Sequence, residues 1–569
     1  MKLIYLILII IFLPGSLFSQ EVNQVRIYEA REILTLDENY PLATAVAIKK
    51  DRIMGVGEVE QLINKFPNAQ LDTRFSEDVM VPGLIEHHVH PFLAAITMES
   101  NVIAIEDWNL PGNQSKGVRD REAYLNRLKA EEQLLAESKK PLVTWGFHHY
   151  FHGKLSRQDL DKISMTRPIL VIHRSFHEFI LNSSALAFFG ITQELVNNFD
   201  EEAKKYASFE KGHFSEQGMV SILPYLMKYL AAPDRLIKGL QTTEKYLHNN
   251  GVTMVANPGA YSLKPIQDAK NFVFGDEETP FRSFYIPSGL LLAEQYPADE
   301  LVERSKEFLS WGRGKVEYLP LQIKLFTDGA MYSQNMVMRE GYLDGHQGAW
   351  LMQEEIYREA FQRFWDAGYQ IHIHQNGDAG LDRLLDVLED NLQRNPRDDH
   401  RTVIVHFGYS NFDQVERIKK LGAIVSANPY YVNALSDLYS RVGVGATRSR
   451  DMVRLGDVHR AGIPISLHSD MPMAPAAPLL LMHAAVNRVN FANKVAGPNQ
   501  RISPEIALRA VTYNAAYVLG MEHDYGTISS GKYANFTLLS DNPLTIDPLK
   551  IKEIEIRSTM VEGQHYPIN

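Results

Sequence analysis

Hydrophobic and polar positions along the chain return at two different periods. Short runs alternate at every second residue, as the two faces of a strand do, and between them lie stretches with apolar positions every third or fourth residue, as on one face of a helix. Eight β-type runs end in polar residues: Val81–His90, Val252–Asn257, Arg282–Ile286, Leu321–Thr327, Gln370–Gln375, Thr402–Phe407, Ala423–Ala427 and Pro464–Ser469. The amphipathic segments Glu354–Ala367, Leu381–Asn391 and Phe412–Leu421 separate the later ones. Eight β/α units match a TIM-type barrel, whereas a doubly wound sheet usually stops near six, so the expected class is an α/β barrel.

The ends and one gap depart from this rhythm. Val25 to Val56 and Asn535 to Val561 hold short β runs punctuated by turn residues, which predicts one small sheet domain assembled from residues 21–80 and 527–569 around a barrel over 81–526. About 160 residues separate the first barrel run from the second, with strands of their own at Leu142–Phe147 and Ile169–Arg174. Residues 91–250 therefore read as a subdomain inserted after strand one, on the side where barrel loops build active sites. The run Ser503 to Gly520 reads as one helix with a serine N-cap, proline at the first turn and a glycine stop. Residues 1–20 have the form of a secretory signal: Lys2, an apolar core from Leu3 to Leu13, then Pro14, Gly15 and small Ser19. That core is too short to span a bilayer, and no Cys follows it to carry a lipid, so the expected mature chain is periplasmic or secreted with no stable membrane anchor.

Composition narrows the chemistry. Of 569 residues, 45% are hydrophobic and 22% charged, with a net charge of −11 and no basic cluster, which disfavours a nucleic-acid binder. The chain has no cysteine, so disulfides, thiolate ligands and cysteine nucleophiles are excluded, and its 20 histidines become the residues to explain.

Several of them fall at the ends of predicted strands. His88 and His90 stand two apart, so both rings point to one face. In the fourth run, Leu321, Ile323 and Leu325 share the face toward the helices, which turns Lys324 inward; a buried ammonium without a partner is costly and demands a reason. His372 and His374 point inward in the fifth run, His406 closes the sixth, and Asp470 closes the eighth. His88, His90, Lys324, His374, His406 and Asp470 thus converge on the catalytic face of a barrel, a nitrogen-and-oxygen ligand set suited to Zn²⁺, with Fe²⁺, Mn²⁺ or Co²⁺ as alternatives. Asp328 and Asp378 follow Lys324 and His374, where each either orients ligands or caps the next helix. His372 reads as a support beside a ligand and His459 as solvent-facing. In the insertion, Trp145, His148, His149 and His177 either cap the pocket or pack in a core; Trp145, His149, His177 and Asp328 are taken as substrate-binding candidates.

These motifs resemble the amidohydrolase superfamily, in its family 3 branch similar to N-substituted formamide deformylase. The resemblance rests on VPGLIEHHVHP (81–91), HEFILNSSAL (177–186), IKLFTDGA (323–330), IHIHQNGDAG (371–380), the His406 strand, SDMPMAPAAPL (469–479), SPEIALRAVTYNAAYVLG (503–520) and GTISSGKYANFTLL (526–539). It implies a distorted (β/α)8 barrel with a small β-sandwich from both chain ends and a centre of one or two metals. His88, His90 and Asp470 would hold one ion, and His374 and His406 the other. Lys324 would bridge them once carbamylated. Departures are Glu86-His87 where Asp-Ser or Asp-Ala is usual, His468 in place of a glycine, and Asn535 in place of an aspartate.

The expected activity is hydrolysis of a non-peptide C–N bond in a small molecule: an amide, formamide, ureide or cyclic amide. Asp470 would move the proton, and His177 or His406 would polarise the carbonyl. Attack on an ester, lactone or phosphoester is the alternative, followed by a catalytically silent binding protein. A homodimer is compatible with this reading.

Overall fold

A computed structural model describes residues 24–137, 139–260 and 263–568. The secretory signal expected at 1–20 lies outside the described residues. Among them, no helix is long and apolar enough to cross a membrane.

The molecule is α/β. Eight of its strands occupy the positions expected for the repeating units: β1 (Leu84–Glu86), β2 (Val252–Ala260), β3 (Arg282–Pro287), β4 (Gln322–Phe326), β5 (Gln370–Gln375), β6 (Val403–His406), β7 (Ile424–Ala427) and β8 (Ile465–Leu467). β1 to β3 pair in parallel, as do β4 to β8. Two parallel bridges join these sets, Ser288 to Lys324 between β3 and β4 and Val89 to Met471 between the ends of β1 and β8. Ile323, Leu325, Ile371 and Ile373 are wholly buried beneath the surrounding helices, so the apolar face of each strand is consumed by packing and its other face is left for polar groups.

Two details differ from the pattern read along the chain. Leu321 does not share the face of Ile323 and Leu325. It precedes β4, has φ +54° and is 52% exposed, because the left-handed residue breaks the alternation before the strand begins. The single helix expected from Ser503 to Gly520 is two, Pro504–Ala510 and Tyr513–Val518, separated at Thr512 with φ −135° and ψ −93°. The Thr512 hydroxyl donates to the Leu508 carbonyl at 2.6 Å, the kind of local bond by which threonine competes with a helix ladder. Ser503 does cap the first of them, accepting from the Ile506 amide at 3.3 Å.

Both chain ends meet in one seven-stranded sheet, ordered 564–567, 556–561, 536–539, 70–82, 26–34, 42–49 and 52–57. Its central strand, Gln70–Pro82, runs on through Gly83 into β1, and the Thr537 hydroxyl ties the far end of the chain to the Leu84 amide at 3.2 Å. Residues 91–250 carry a separate six-stranded sheet that includes Leu142–Phe147, Ile169–His173 and Glu178–Leu181, with helices around it.

Candidate metal centre

Backbone hydrogen bonds bring the ends of β1 and β8 together before any side chain is considered. The Asp470 amide donates to the His88 carbonyl at 3.1 Å, and the His90 amide donates to the Met471 carbonyl at 2.8 Å. This clip sets Asp470 Oδ1 3.4 Å from His88 Nε2 and 3.0 Å from His90 Nε2. His406, from the end of β6, places Nδ1 3.8 Å from Asp470 Oδ2. The imidazoles continue as a chain of contacts, with ring centres 4.9 Å apart for His88 and His406 and 4.5 Å for His406 and His374. Asp470 has φ +60° and His406 φ +76°, with Phe407 at +50° beside it. Left-handed backbone costs a non-glycine residue about 1–3 kcal/mol, and such strain concentrates where side-chain direction matters more than ease of folding.

The electrostatics suit neutral ligands. Burial, followed by the charge of Lys324, pushes His88 and His374 well below the usual imidazole range; for His406 burial is followed by His374 and then Lys324. Lys324 itself is buried without a hydrogen-bond partner among the described residues. Burial drives its ammonium far below the ordinary lysine value, with only Asp470 acting in the opposite sense. Metal binding requires the deprotonated form of each of these groups, so the site is already in a ligating state near neutral pH. Two imidazole nitrogens and a carboxylate oxygen lie within 4.8 Å of one another at His88, His90 and Asp470. Asp470 Oδ1 and His406 Nδ1 are buried without hydrogen-bond partners among the described residues. A hard-to-borderline divalent ion satisfies these orphaned atoms, so the residues present fit a metal. His374 stands at the edge of the set, where its Nε2 meets the Asn376 side-chain amide at 3.0 Å.

Other expected residues are placed differently. Asp328 does not face the centre with a free oxygen. Its carboxylate accepts from the amides of Val337, Asn376 and Gly377 at 3.0, 3.1 and 2.7 Å and from the Thr327 hydroxyl at 2.9 Å. It therefore braces the loops after β4 and β5, and the same brace explains the glycines of 371–380: a Cβ at Gly380 would lie 2.4 Å from Asp328 Oδ1. Asp378 accepts from the Arg339 amide at 2.8 Å and the Asn411 side chain at 2.9 Å, likewise a structural use. Trp145 is wholly buried with its ring 5.3 Å from that of Trp108, so it belongs to the core of the insertion and not to a substrate surface. His372 Nε2 bonds Gln322 Oε1 at 3.0 Å, turned away from the ligands. His177 is partly exposed, with Nδ1 3.1 Å from Glu216 Oε2. Burial opposes a charge there and Glu216 favours it, and the balance raises its pKa above the ordinary imidazole value. His149 lies beside Glu178.

Three further residues shape the site, and two of them, Glu86 and His468, stand where the sequence departs from the family pattern. His468 stacks on His88 at 4.7 Å and meets His406 at 5.1 Å, both of its nitrogens buried and unpaired among the described residues. It lies just past β8, two residues before Asp470. Glu86 is buried under the centre, accepting from the Ser469 amide and hydroxyl at 3.1 and 3.0 Å; burial lifts its carboxyl to about 8 despite those two bonds. Arg174, wholly buried, forms a two-pronged pair with Glu106 at 2.8 and 3.0 Å and donates to the Met473 carbonyl at 2.6 Å, fastening the insertion to the loop after β8. No spacing rule links residues so far apart in sequence.

The chain is 25% identical over 525 residues to the protein LONG AFTER FAR-RED 3 of Arabidopsis thaliana, covering 90% of this chain and 86% of that one. It is 23% identical over 563 residues to N-substituted formamide deformylase of Arthrobacter pascens, covering 93% and 96%. An uncharacterized metal-dependent hydrolase of Pyrococcus horikoshii shares the fold with a TM-score of 0.69 at 19% identity, over 95% of this chain and all of that one. The amidohydrolase family model matches residues 77–566, the span that carries every strand-end residue described above, and the chain belongs to that family.

Proposed function

We propose that the chain is an exported, zinc-class metal-dependent hydrolase of non-peptide C–N bonds in small molecules, acting at the mouth of a distorted (β/α)8 barrel. The observation that carries this reading is Asp470, a buried carboxylate with an unbonded oxygen set between His88 and His90. The two parallel bridges that join the eight strands into a ring support the barrel, and Lys2 with its following apolar run supports export. Among relatives, the deformylase name supports an amide-type substrate.

His88, His90 and Asp470 would hold the ion, with His374, His406 and Lys324 beside them for a second. A divalent ion bound there would supply Lewis acidity and bring the acidity of water toward neutrality. The rest falls to the chain's own groups. Asp470 takes a proton from the attacking water on a carboxylate oxygen and returns it to the departing nitrogen. Glu216 accepts from His177 Nδ1 and favours its charged form, in which Nε2–H would donate to the substrate carbonyl oxygen. The buried amine of Lys324 is accounted for if it reacts with carbon dioxide, since a carbamate carries negative charge and two oxygens in place of an ammonium that would repel cations. Lys324→Ala is then expected to lower the metal content by one ion and to remove most activity, with partial recovery on adding a short carboxylic acid. An unchanged metal content would leave Lys324 a substrate-side role.

A panel of amides, formamides, ureides, esters, lactones and phosphoesters, assayed with and without chelator, tests the activity. Chelator-sensitive turnover confined to the nitrogen-containing members is expected. Turnover of esters or phosphoesters alone would move the assignment to oxygen leaving groups, and no turnover of any member by metal-loaded protein would overturn it.

A further inference from the structure

A second cluster of ligating groups lies in the insertion, outside the strand-end centre. His173 closes the strand Ile169–His173, Glu178 opens the strand Glu178–Leu181, and His149 begins the short helix His149–His152. One ligand atom from each, two imidazole nitrogens and a carboxylate oxygen, falls within 4.8 Å of the others. The atoms that face the shared space have no hydrogen-bond partner among the described residues: His149 Nδ1, His173 Nε2 and Glu178 Oε1 are all buried. Their opposite sides are not free. His173 Nδ1 lies 2.7 Å from the Ser175 hydroxyl and accepts from the Ser175 amide at 3.2 Å, which anchors the ring with Nε2 toward the shared space. His213 Nε2 donates to Glu178 Oε2 at 2.7 Å, which orients the carboxylate so that Oε1 points inward. Backing of ligands by hydrogen bonds on their far side is how metal sites fix ring and carboxylate orientation.

Chance burial of polar groups ordinarily ends in mutual hydrogen bonds, because an unsatisfied buried atom is costly. Here three unsatisfied atoms converge instead. His149 Nδ1 and Glu178 Oε1 are 3.7 Å apart, an ion-pair distance longer than a hydrogen bond and compatible with two ligands of one ion. We propose that His149, His173 and Glu178 form a further divalent-cation site of zinc class, pinning the start of the His149 helix to the 173–178 loop. Two nitrogens and one carboxylate oxygen exclude magnesium and calcium as natural occupants and leave a fourth position for water or a ligand. The segment it would pin is bent sharply, with Phe176 at φ +60°. It also carries His177, which the mechanism above uses, so the ion would hold that residue's loop without touching the strand-end ligands.

The test counts metal. Full-length wild-type, His149→Ala and His173→Ala proteins are loaded with excess zinc, desalted and analysed for ions per chain, with circular dichroism to confirm folding. One zinc fewer than wild type is expected in both variants, and His88→Ala should lose a different ion while keeping this one. His149 is partly exposed at a helix start, so His149→Ala decides the matter if His173→Ala fails to fold. In a chelator titration of the wild type, the ion that His149→Ala lacks should appear as its own step. A wild-type zinc count in His149→Ala, with no such step lost, would overturn the site and return the cluster to a network of core histidines.

Discussion

Asp328, just beyond β4, and Asp470, just beyond β8, are both buried carboxylates at the carboxyl ends of parallel strands. Around Asp328 the chain has closed in: three backbone amides and a hydroxyl occupy its oxygens, and two glycines make room for it. Around Asp470 the chain holds back. The neighbours of its oxygens are imidazoles, its own backbone is left-handed, and one oxygen has no hydrogen bond. Burial alone therefore conceals opposite uses. A carboxylate saturated by backbone donors determines where loops lie, whereas one left short of donors in a strained conformation is available for an ion and a proton.

The comparison predicts that the two positions fail in different ways. Asp470→Asn should reduce turnover by about 10²-fold or more, in the range of general acid–base catalysis, with little change in melting temperature; a variant with near wild-type turnover and full metal would erase the distinction. Asp328→Asn should do the reverse. Its amide replaces an acceptor oxygen with a donor facing backbone N–H groups, which costs about 3 kcal/mol of stability in a denaturant titration while metal content persists. Gly380→Ala tests the same brace from the other side. The added carbon would lie 2.4 Å from Asp328 Oδ1, and a loss of about 1–3 kcal/mol is expected from the overpacking. An unchanged melting curve would mean that the loop yields easily.

The smallest effect concerns pH. Burial raises the Asp328 carboxyl to about 6, overriding the amide bonds that act to lower it. Its folded form thus takes up a proton more readily than the unfolded chain, so the stability linked to this proton is fully present below the unfolded value near 3.8 and is lost as pH rises through about 6. The stability advantage of wild type over Asp328→Asn should accordingly narrow between pH 5 and 7.5. Widening over that interval would show that the three amides govern the carboxylate after all.

The contrast also explains what was legible in the chain. Strand positions could be read because Ile323, Leu325, Ile371 and Ile373 alternate with inward polar groups, and the inward set gave His88, Lys324, His374 and His406 before any coordinates. The use of Asp328 could not be read, since its partners are backbone amides that every residue possesses. The break at Thr512 was equally hidden, because apolar spacing continues across it while one hydroxyl bond diverts the ladder. His149, His173 and Glu178 come from a helix start and two strand ends, a juxtaposition that only the insertion's own sheet creates.

The shared sheet of the two chain ends has a consequence for biosynthesis. The strand Gln70–Pro82, which leads directly into β1 and His88, is flanked on one side by Arg26–Leu34 and on the other by Phe536–Leu539. The first neighbour precedes this strand in synthesis; the second is translated far later, and the Leu84 amide waits for a hydroxyl 453 residues further on. Throughout synthesis the strand therefore presents an open edge, the feature through which nascent chains pair with one another. A chain released short of Phe536 would keep every residue of the strand-end metal centre and still carry that edge exposed.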